Sequence, residues 1–364
     1  MSNKKCYIVG GLGCSGKTTF ARDIASQMGI PCFMADNIHV LLANKIGMPF
    51  SELAKLVMPK NWDDKPLESF PNKYEAFKQA YLDFFNYLPP EQFVIDGESL
   101  IWNKRERKIL EEILPDYTFR YLILAPDYEQ WLKNMSKREK DGSYSPKFRD
   151  EKEYNDLLSQ YLTYAPDNSM IVRDIKNTKC SPTGGTVYQN EAFSDPKWEV
   201  FDFPKDLKDR SFLEISCNTG WFLKKAGERG AKVYGVDISW QVLDIAMDRN
   251  PTGVFWLSKI EDFQTTSQFD YILCSSAFHY YHHREEQLAK ISKMTKNFIL
   301  ETPVLLEDRE FIRYQGGEDG EFCSVPSEKL LLRWLSKYFK KVTVIGETIQ
   351  PDSHNRPVYL CQNG

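Results

Sequence analysis

The 364-residue chain predicts an α/β protein of two domains, each built on a largely parallel sheet. Three observations lead there. Short apolar or β-branched runs alternate with helix-like segments over residues 5–175, and again from Arg210 onward. A glycine-bearing turn follows the first strand of each series: Gly11–Gly16 in one, Ser216–Gly220 in the other. Between them, residues 176–198 lose apolar periodicity and fill with turn formers, among them Ser181-Pro-Thr-Gly-Gly185 and Ser194-Asp-Pro-Lys197. The expected division is a first domain over 1–178, a linker and lead-in over 179–209, and a second domain over 210–364.

In the first domain, strands are expected at Cys6–Gly10, Cys32–Ala35, Phe93–Asp96, Tyr117–Ala125 and Met170–Asp174, with a helix over Lys17–Met28. Tyr74, Phe77, Tyr81, Phe84, Phe85 and Leu88 recur at helical spacing and predict a helix packing on the core; an aromatic wall for an acceptor is the alternative. In the second domain, strands are expected at 212–216, 232–237, 254–257, 269–274 and 297–301. Val342–Ile345 and Val358–Cys361 are expected to close it as an antiparallel hairpin.

Composition narrows the classes. With 42% apolar and 27% charged residues the chain reads as soluble and globular rather than disordered, and no apolar run is long enough to cross a bilayer. Tyr7-Ile-Val runs straight into the glycine loop, which marks a core strand and not a signal peptide. The eight cysteines include no C-x-x-C pair, so neither a zinc spacing nor a disulfide framework is visible, and a cytoplasmic location is expected. A net charge of −4 supplies no whole-chain attraction to nucleic acid.

Gly11-Leu-Gly13-Cys14-Ser15-Gly16-Lys17-Thr18 has the form G-x-x-x-x-G-K-[ST], with a strand before it and a helix after it, and Thr19 joins these residues as a candidate nucleotide contact. Glycines there let backbone N–H groups curl round phosphates at a helix N-terminus. Lys17 should reach the β- and γ-phosphates of ATP, and Thr18 should ligate Mg²⁺. Asp36 follows the second strand, where a carboxylate accepts a proton from an acceptor hydroxyl; capping the next helix is its other use. Asp96, in Asp96-Gly-Glu98, closes the third strand as a second Mg²⁺ candidate. Lys133, Lys137 and Arg138 lie at i, i+4 and i+5 of an expected lid helix, where cations stabilise a transferring phosphoryl group.

Over residues 5–175 this pattern resembles the P-loop kinase group that includes polynucleotide kinases and antibiotic phosphotransferases. The resemblance implies a P-loop NTPase fold, with Lys17, Asp36 and Arg138 as catalytic residues.

The second series carries Glu214-Ile-Ser216-Cys217-Asn218-Thr-Gly220, then Asp237-Ile238 seventeen residues after Gly220. Asp237 is placed to hold both hydroxyls of a ribose. These residues, with Glu261-Asp262 and the run Phe269–Ser276, resemble the S-adenosylmethionine (SAM) site of class I methyltransferases, although Ser216 and Asn218 stand where glycines are usual. The resemblance implies a Rossmann-like fold in which Asp237 holds the ribose and Ile238 borders the adenosine. It also implies that Glu261 and Asp262 contact adenine and that Ser275 lies beneath the methyl donor.

His279, His282 and His283 follow that strand, but no carboxylate or cysteine has matching spacing, so His279 is expected as a general base or phosphate contact and not as a metal ligand. Phe278-His279, Phe298–Glu301 and Arg356–Leu360 resemble the methyltransferase part of O-antigen chain-terminating kinase–methyltransferases, although that family places a protein-kinase-like domain after it.

A bifunctional enzyme follows: phosphorylation of a hydroxyl with ATP and Mg²⁺ and methylation of the same molecule with SAM, in its sharpest version on the phosphate itself. The expected partner is a small-molecule or glycan acceptor. A nucleic-acid end is the alternative acceptor, and a nucleotide-sensing domain gating the methyltransferase is the alternative role for the first half.

Overall fold

A computed structural model describes residues 4–49, 51, 73–85, 91–140, 150–166, 169–173, 191–305, 307, 311–315, 322–348 and 356–363. The chain divides into two compact units, Met1–Ile175 and Lys176–Gly364.

The first unit has a sheet of five strands: β1 (Lys5–Gly11), β2 (Cys32–Met34), β3 (Gln92–Asp96), β4 (Thr118–Leu124) and β5 (Ser169–Val172), in the spatial order β5-β4-β1-β3-β2. All four pairings are parallel. Its strands read as near-continuous apolar runs because both faces are covered by helices. The described helices are α1 (Lys17–Met28), α2 (Ala35–Ile46), α3 (Lys73–Phe85), α4 (Ser99–Trp102), α5 (Lys104–Ile113), α6 (Tyr128–Lys140) and α7 (Glu151–Thr163).

Register brings the candidate residues of this unit to one edge. Val9 pairs with Asp96, which in turn pairs with Met34, so the turn after β1, the acid ending β3 and the start of α2 lie together. The expected aromatic helix is α3, with Tyr81 and Phe85 in the core; Leu88 lies outside the described residues. Ala35, expected to end β2, instead opens α2.

The second unit opens with α8 (Glu191–Val200), followed by β6 (Ser211–Ile215), α9 (Trp221–Glu228), β7 (Lys232–Asp237), α10 (Trp240–Arg249), β8 (Val254–Leu257) and β9 (Phe269–Ser275). A 3-10 turn (Phe278–Tyr280), α11 (Arg284–Met294) and β10 (Thr295–Glu301) come next. The unit ends with β11 (Phe311–Gln315), β12 (Phe322–Pro326), α12 (Glu328–Tyr338), β13 (Lys341–Thr348) and β14 (Arg356–Gln362). Its main sheet runs β13-β14-β10-β9-β6-β7-β8. The five strands from β10 to β8 are parallel, and β14 and β13 add antiparallel at one edge, as the terminal hairpin predicts.

Two features depart from expectation. Residues 191–198, expected within the linker, belong to α8, even though Pro196 lies inside it. Ser194-Asp-Pro-Lys reads as a helix breaker locally, but Trp198 is 3% exposed and stacks on Phe222 and Phe203, so tertiary burial overrides propensity. The β11–β12 hairpin, pairing Phe311–Gln315 with Phe322–Pro326, is an additional element between β10 and α12.

Candidate active sites

In the first unit the turn after β1 needs unusual backbone. Gly11 has φ +152°, and a Cβ there would sit 2.5 Å from Ser15 Oγ and 2.8 Å from the Leu124 carbonyl oxygen. Gly16, the N-cap of α1, has φ +93°, and Cys14 sits in the left-handed region at φ +68° without being glycine. The Ser15 N–H donates to the Leu12 carbonyl at 3.0 Å and closes the turn.

At the start of α1, Lys17 Nζ lies 3.1 Å from Glu98, and Thr18 Oγ1 donates to Asp96 Oδ2 at 2.6 Å. Asp96 Oδ1 is buried without a hydrogen-bond partner, and burial pushes this carboxyl above its usual range despite the Thr18 bond and the nearby Lys17. A hydroxyl beside a carboxylate with an unused buried oxygen suits Mg²⁺ held by Thr18 directly and by Asp96 through water. Thr18 and Asp96 therefore fit the ion that the sequence implies.

Asp36 stands exposed in the first turn of α2; the N-cap position belongs to Met34, not to Asp36. One turn further along α2, His39 Nε2 lies 2.8 Å from Glu106 Oε1, and Tyr81 donates to the same oxygen at 2.5 Å. Burial alone would lower the His39 pKa, but Glu106 and then Asp36 hold it above its ordinary value. This buried trio has no sequence signature, because its members come from α2, α3 and α5. On α6, Lys133, Lys137 and Arg138 are all exposed. Trp131, Asn134 and Tyr161, which carry no charge pattern, make direct bonds to the glycine loop.

The second unit builds its turn differently. Glu214, the last residue but one of β6, is almost fully buried, Ser216 (φ +56°) and Asn218 (φ +48°) both adopt left-handed backbone, and Gly220 (φ +69°) caps α9. Side chains brace the two non-glycine positions. Ser216 Oγ and Tyr281 OH are 2.9 Å apart, and the Asn218 N–H donates to Asp237 Oδ2 at 2.9 Å. Asp237 Oδ1 accepts the Ser239 N–H at 3.0 Å, and burial raises the pKa of the carboxyl against the pull of these amides.

Asp237 thus presents a carboxylate at the end of β7, beside the turn, with Ile238 exposed next to it. That suits a ribose and a purine face. Cys217 packs inward against Gly235, where an added Cβ would meet its sulfur at 2.8 Å.

Nearby, Ser275 and Ser276 donate to Glu301 Oε2 at 2.9 and 2.7 Å. Thr348 donates to Glu301 Oε1 at 2.6 Å, and Lys197 Nζ reaches both Ser276 Oγ (2.7 Å) and Glu301 Oε1 (3.2 Å). Burial opposes ionisation of Glu301, yet Lys197, the Thr348 bond and Arg356 hold its carboxyl below the usual range. Glu261 accepts the His282 N–H at 3.2 Å, and Asp262 is exposed. His279 is 3% exposed, its ring centroid 4.2 Å from that of Tyr280, whereas His282 and His283 are exposed.

A family model described as a methyltransferase domain matches residues 188–339. The match supports a methyltransferase domain in the second unit.

A curated relative, the magnesium-protoporphyrin O-methyltransferase of Rhodobacter capsulatus, is 32% identical over 106 residues, covering 27% of this chain and 47% of that protein. The chain thus spans about half the length of the relative it matches. Among solved structures, an S-adenosylmethionine-dependent methyltransferase from Listeria monocytogenes is 16% identical at a TM-score of 0.40, covering 48% of this chain and 100% of that one. The bifunctional kinase-methyltransferase WbdD is 19% identical at a TM-score of 0.37, covering 49% of this chain and 43% of that one.

Within the methyltransferase domain, Lys197 and Tyr281 are the residues that sequence patterning passes over. Lys197 lies before the first strand in a segment that reads as linker, and Tyr281 sits in an aromatic run that reads as packing. Serine and asparagine at 216 and 218, where glycines are usual, were the available signal for a brace at the turn.

Proposed function

We propose that this chain is a bifunctional enzyme that phosphorylates a hydroxyl with ATP and then methylates the new phosphate with SAM. The acceptor class that fits is a glycan end or a sugar-derived metabolite. The kinase half rests on one observation above all: Lys17, Thr18 and Asp96 converge at the end of β1 and β3, with Thr18 Oγ1 2.6 Å from Asp96 and a buried Asp96 oxygen to spare. The 5-4-1-3-2 strand order adds support, since it sets Asp36 on the neighbouring strand edge.

In the first step Asp36 accepts the proton of the acceptor hydroxyl as its oxygen bonds to the γ-phosphorus and ADP departs. Lys17 leaves Glu98 for the phosphates and offsets their charge. Bound Mg²⁺ would neutralise charge on the β- and γ-oxygens, with Thr18 and Asp96 holding it.

In the second step a phosphate oxygen takes the methyl carbon and the C–S bond breaks, leaving S-adenosylhomocysteine. SAM supplies the electrophilic methyl group. Asp237 holds its ribose, and the Ser275–Ser276 turn, fixed by Glu301, shapes the floor of the site. A phosphate monoester is already anionic at neutral pH, so this step needs no general base. The burial of His279 is in keeping with that.

The test is mass spectrometry on a glycan and metabolite extract treated with the enzyme, ATP and SAM, alongside Lys17→Ala and Asp237→Ala proteins. A product heavier by one phosphoryl and one methyl group is expected, stopping at the phosphoryl stage with Asp237→Ala and untouched with Lys17→Ala. Methylation of the unphosphorylated acceptor at full rate by Lys17→Ala would sink the proposal.

A further inference from the structure

The glycine loop is gripped from outside by two consecutive helices. Trp131 Nε1 on α6 donates to the Gly13 carbonyl at 2.7 Å, and Asn134 Nδ2, one turn later, donates to the Cys14 carbonyl at 3.0 Å. Tyr161, fully buried on α7, accepts the Gly11 N–H at 3.0 Å through its hydroxyl. Arg138 continues the same α6 stripe, seven residues after Trp131, and its positive charge pulls against the burial that raises the Cys14 thiol pKa.

These bonds fall where the loop is least stable by itself. Cys14 holds φ +68°, a conformation that is unfavourable for a non-glycine residue and persists only when its surroundings over-determine it. The carbonyl and N–H of a trans peptide point in opposite directions. A donor on the Gly13 carbonyl therefore fixes the direction of the Cys14 N–H, and a donor on the Cys14 carbonyl fixes that of the Ser15 N–H. The latter already closes the turn on Leu12. Two donors on neighbouring carbonyls and one acceptor on Gly11 thus set the peptide planes of the loop before any ligand arrives.

We infer that Trp131, Asn134 and Tyr161 are positioning residues that prebuild a cradle for a polyphosphate, so that phosphate affinity is set from α6 and α7 as well as from the loop. The inference rests on the reading of this loop as a nucleotide site. It goes further by dividing the base of the helix expected as a lid into a fixed part, Trp131 to Asn134, and a charged end at Arg138. Lys133 and Lys137 lie off the gripping stripe and take no part in it.

The experiment measures binding of MgATP, tripolyphosphate and adenosine to the full chain and to Trp131→Phe, Asn134→Leu and Tyr161→Phe, by displacement of a fluorescent ATP analogue. Thermal melts accompany each protein. Each variant removes one hydrogen bond to the loop, worth about 1 kcal/mol, and should weaken MgATP and tripolyphosphate about five-fold. Trp131→Phe combined with Asn134→Leu should exceed tenfold. Adenosine, which carries no phosphate, should bind unchanged.

Equal weakening of adenosine and tripolyphosphate would mean a general loss of fold and overturn the inference. Unchanged tripolyphosphate binding in all three variants would overturn it too, leaving the nucleotide site intact. Failure of the unmodified chain to bind MgATP would instead bring down the nucleotide reading itself.

Discussion

Both units place a tight turn after their first strand, and they stabilise it in opposite ways. The first uses glycine at Gly11 and Gly16 and needs outside help chiefly at Cys14. The second keeps glycine only at its end and puts Ser216 and Asn218 into left-handed backbone, bracing them with Tyr281 and Asp237. The contrast shows that a glycine pattern is one solution to a backbone requirement. A serine or asparagine serves as well once a side chain elsewhere holds the strained peptide.

The most severe way to break the first turn is Lys17→Ala. Phosphoryl transfer should fall at least about a hundredfold, while methylation of an already phosphorylated acceptor continues. Steady-state assays of the two half-reactions check this, and equal loss in both would argue against separate sites.

Next in size is the Glu301 cluster that holds Ser275 and Ser276 in the second unit. Glu301→Ala strands Lys197 in the interior and should cost about 3–5 kcal/mol in the second unit. Denaturant unfolding followed by the tryptophans of that unit reads it, and a loss under about 1 kcal/mol would show that the Glu301–Lys197 pair contributes little to stability.

A pH titration separates the units further. His39, held above its ordinary value of 6.5, stabilises the first unit below that value, and the contribution is lost as pH rises through the raised one. Glu301, held below its ordinary value, contributes above the carboxylate range and is lost only in acid. Between about pH 6.5 and about 8, below the range of thiols and phenols, the first unit should lose stability and the second should not. Calorimetry on the full chain and on His39→Gln checks the assignment, since that variant should flatten the slope.

The smallest effect belongs to Ser216→Gly. It relieves left-handed strain and removes the bond to Tyr281, and the two terms nearly cancel, to within about 1 kcal/mol. A larger loss in a thermal melt would make the Tyr281 brace more important than the backbone it supports.

Much of the fold was legible because both sheets are built from short apolar strands separated by strong turn formers. The helix Lys17–Met28 and the strand Lys232–Asp237 match their expected bounds. What local pattern could not supply is whatever depends on distant burial. The helix α8 survives Ser194-Asp-Pro because Trp198 is buried, and the β11–β12 hairpin has no strong alternation to announce it. The same holds at the sites. Motif residues such as Lys17, Thr18, Asp96 and Asp237 stand out by spacing. Their supports (Glu98, Trp131, Asn134, Tyr281 and Lys197) come from other elements and are visible only in three dimensions.

The central claim is that the methyl group ends on the phosphate, and the bond itself can be observed. The reaction mixture would be prepared with ¹³C-methyl SAM and ATP, and a proton–phosphorus correlation spectrum recorded on the product. The account predicts methyl protons coupled to ³¹P through three bonds, with the signal absent in the Lys17→Ala mixture. A labelled methyl resonance without phosphorus coupling, persisting when Lys17 is replaced, would contradict it.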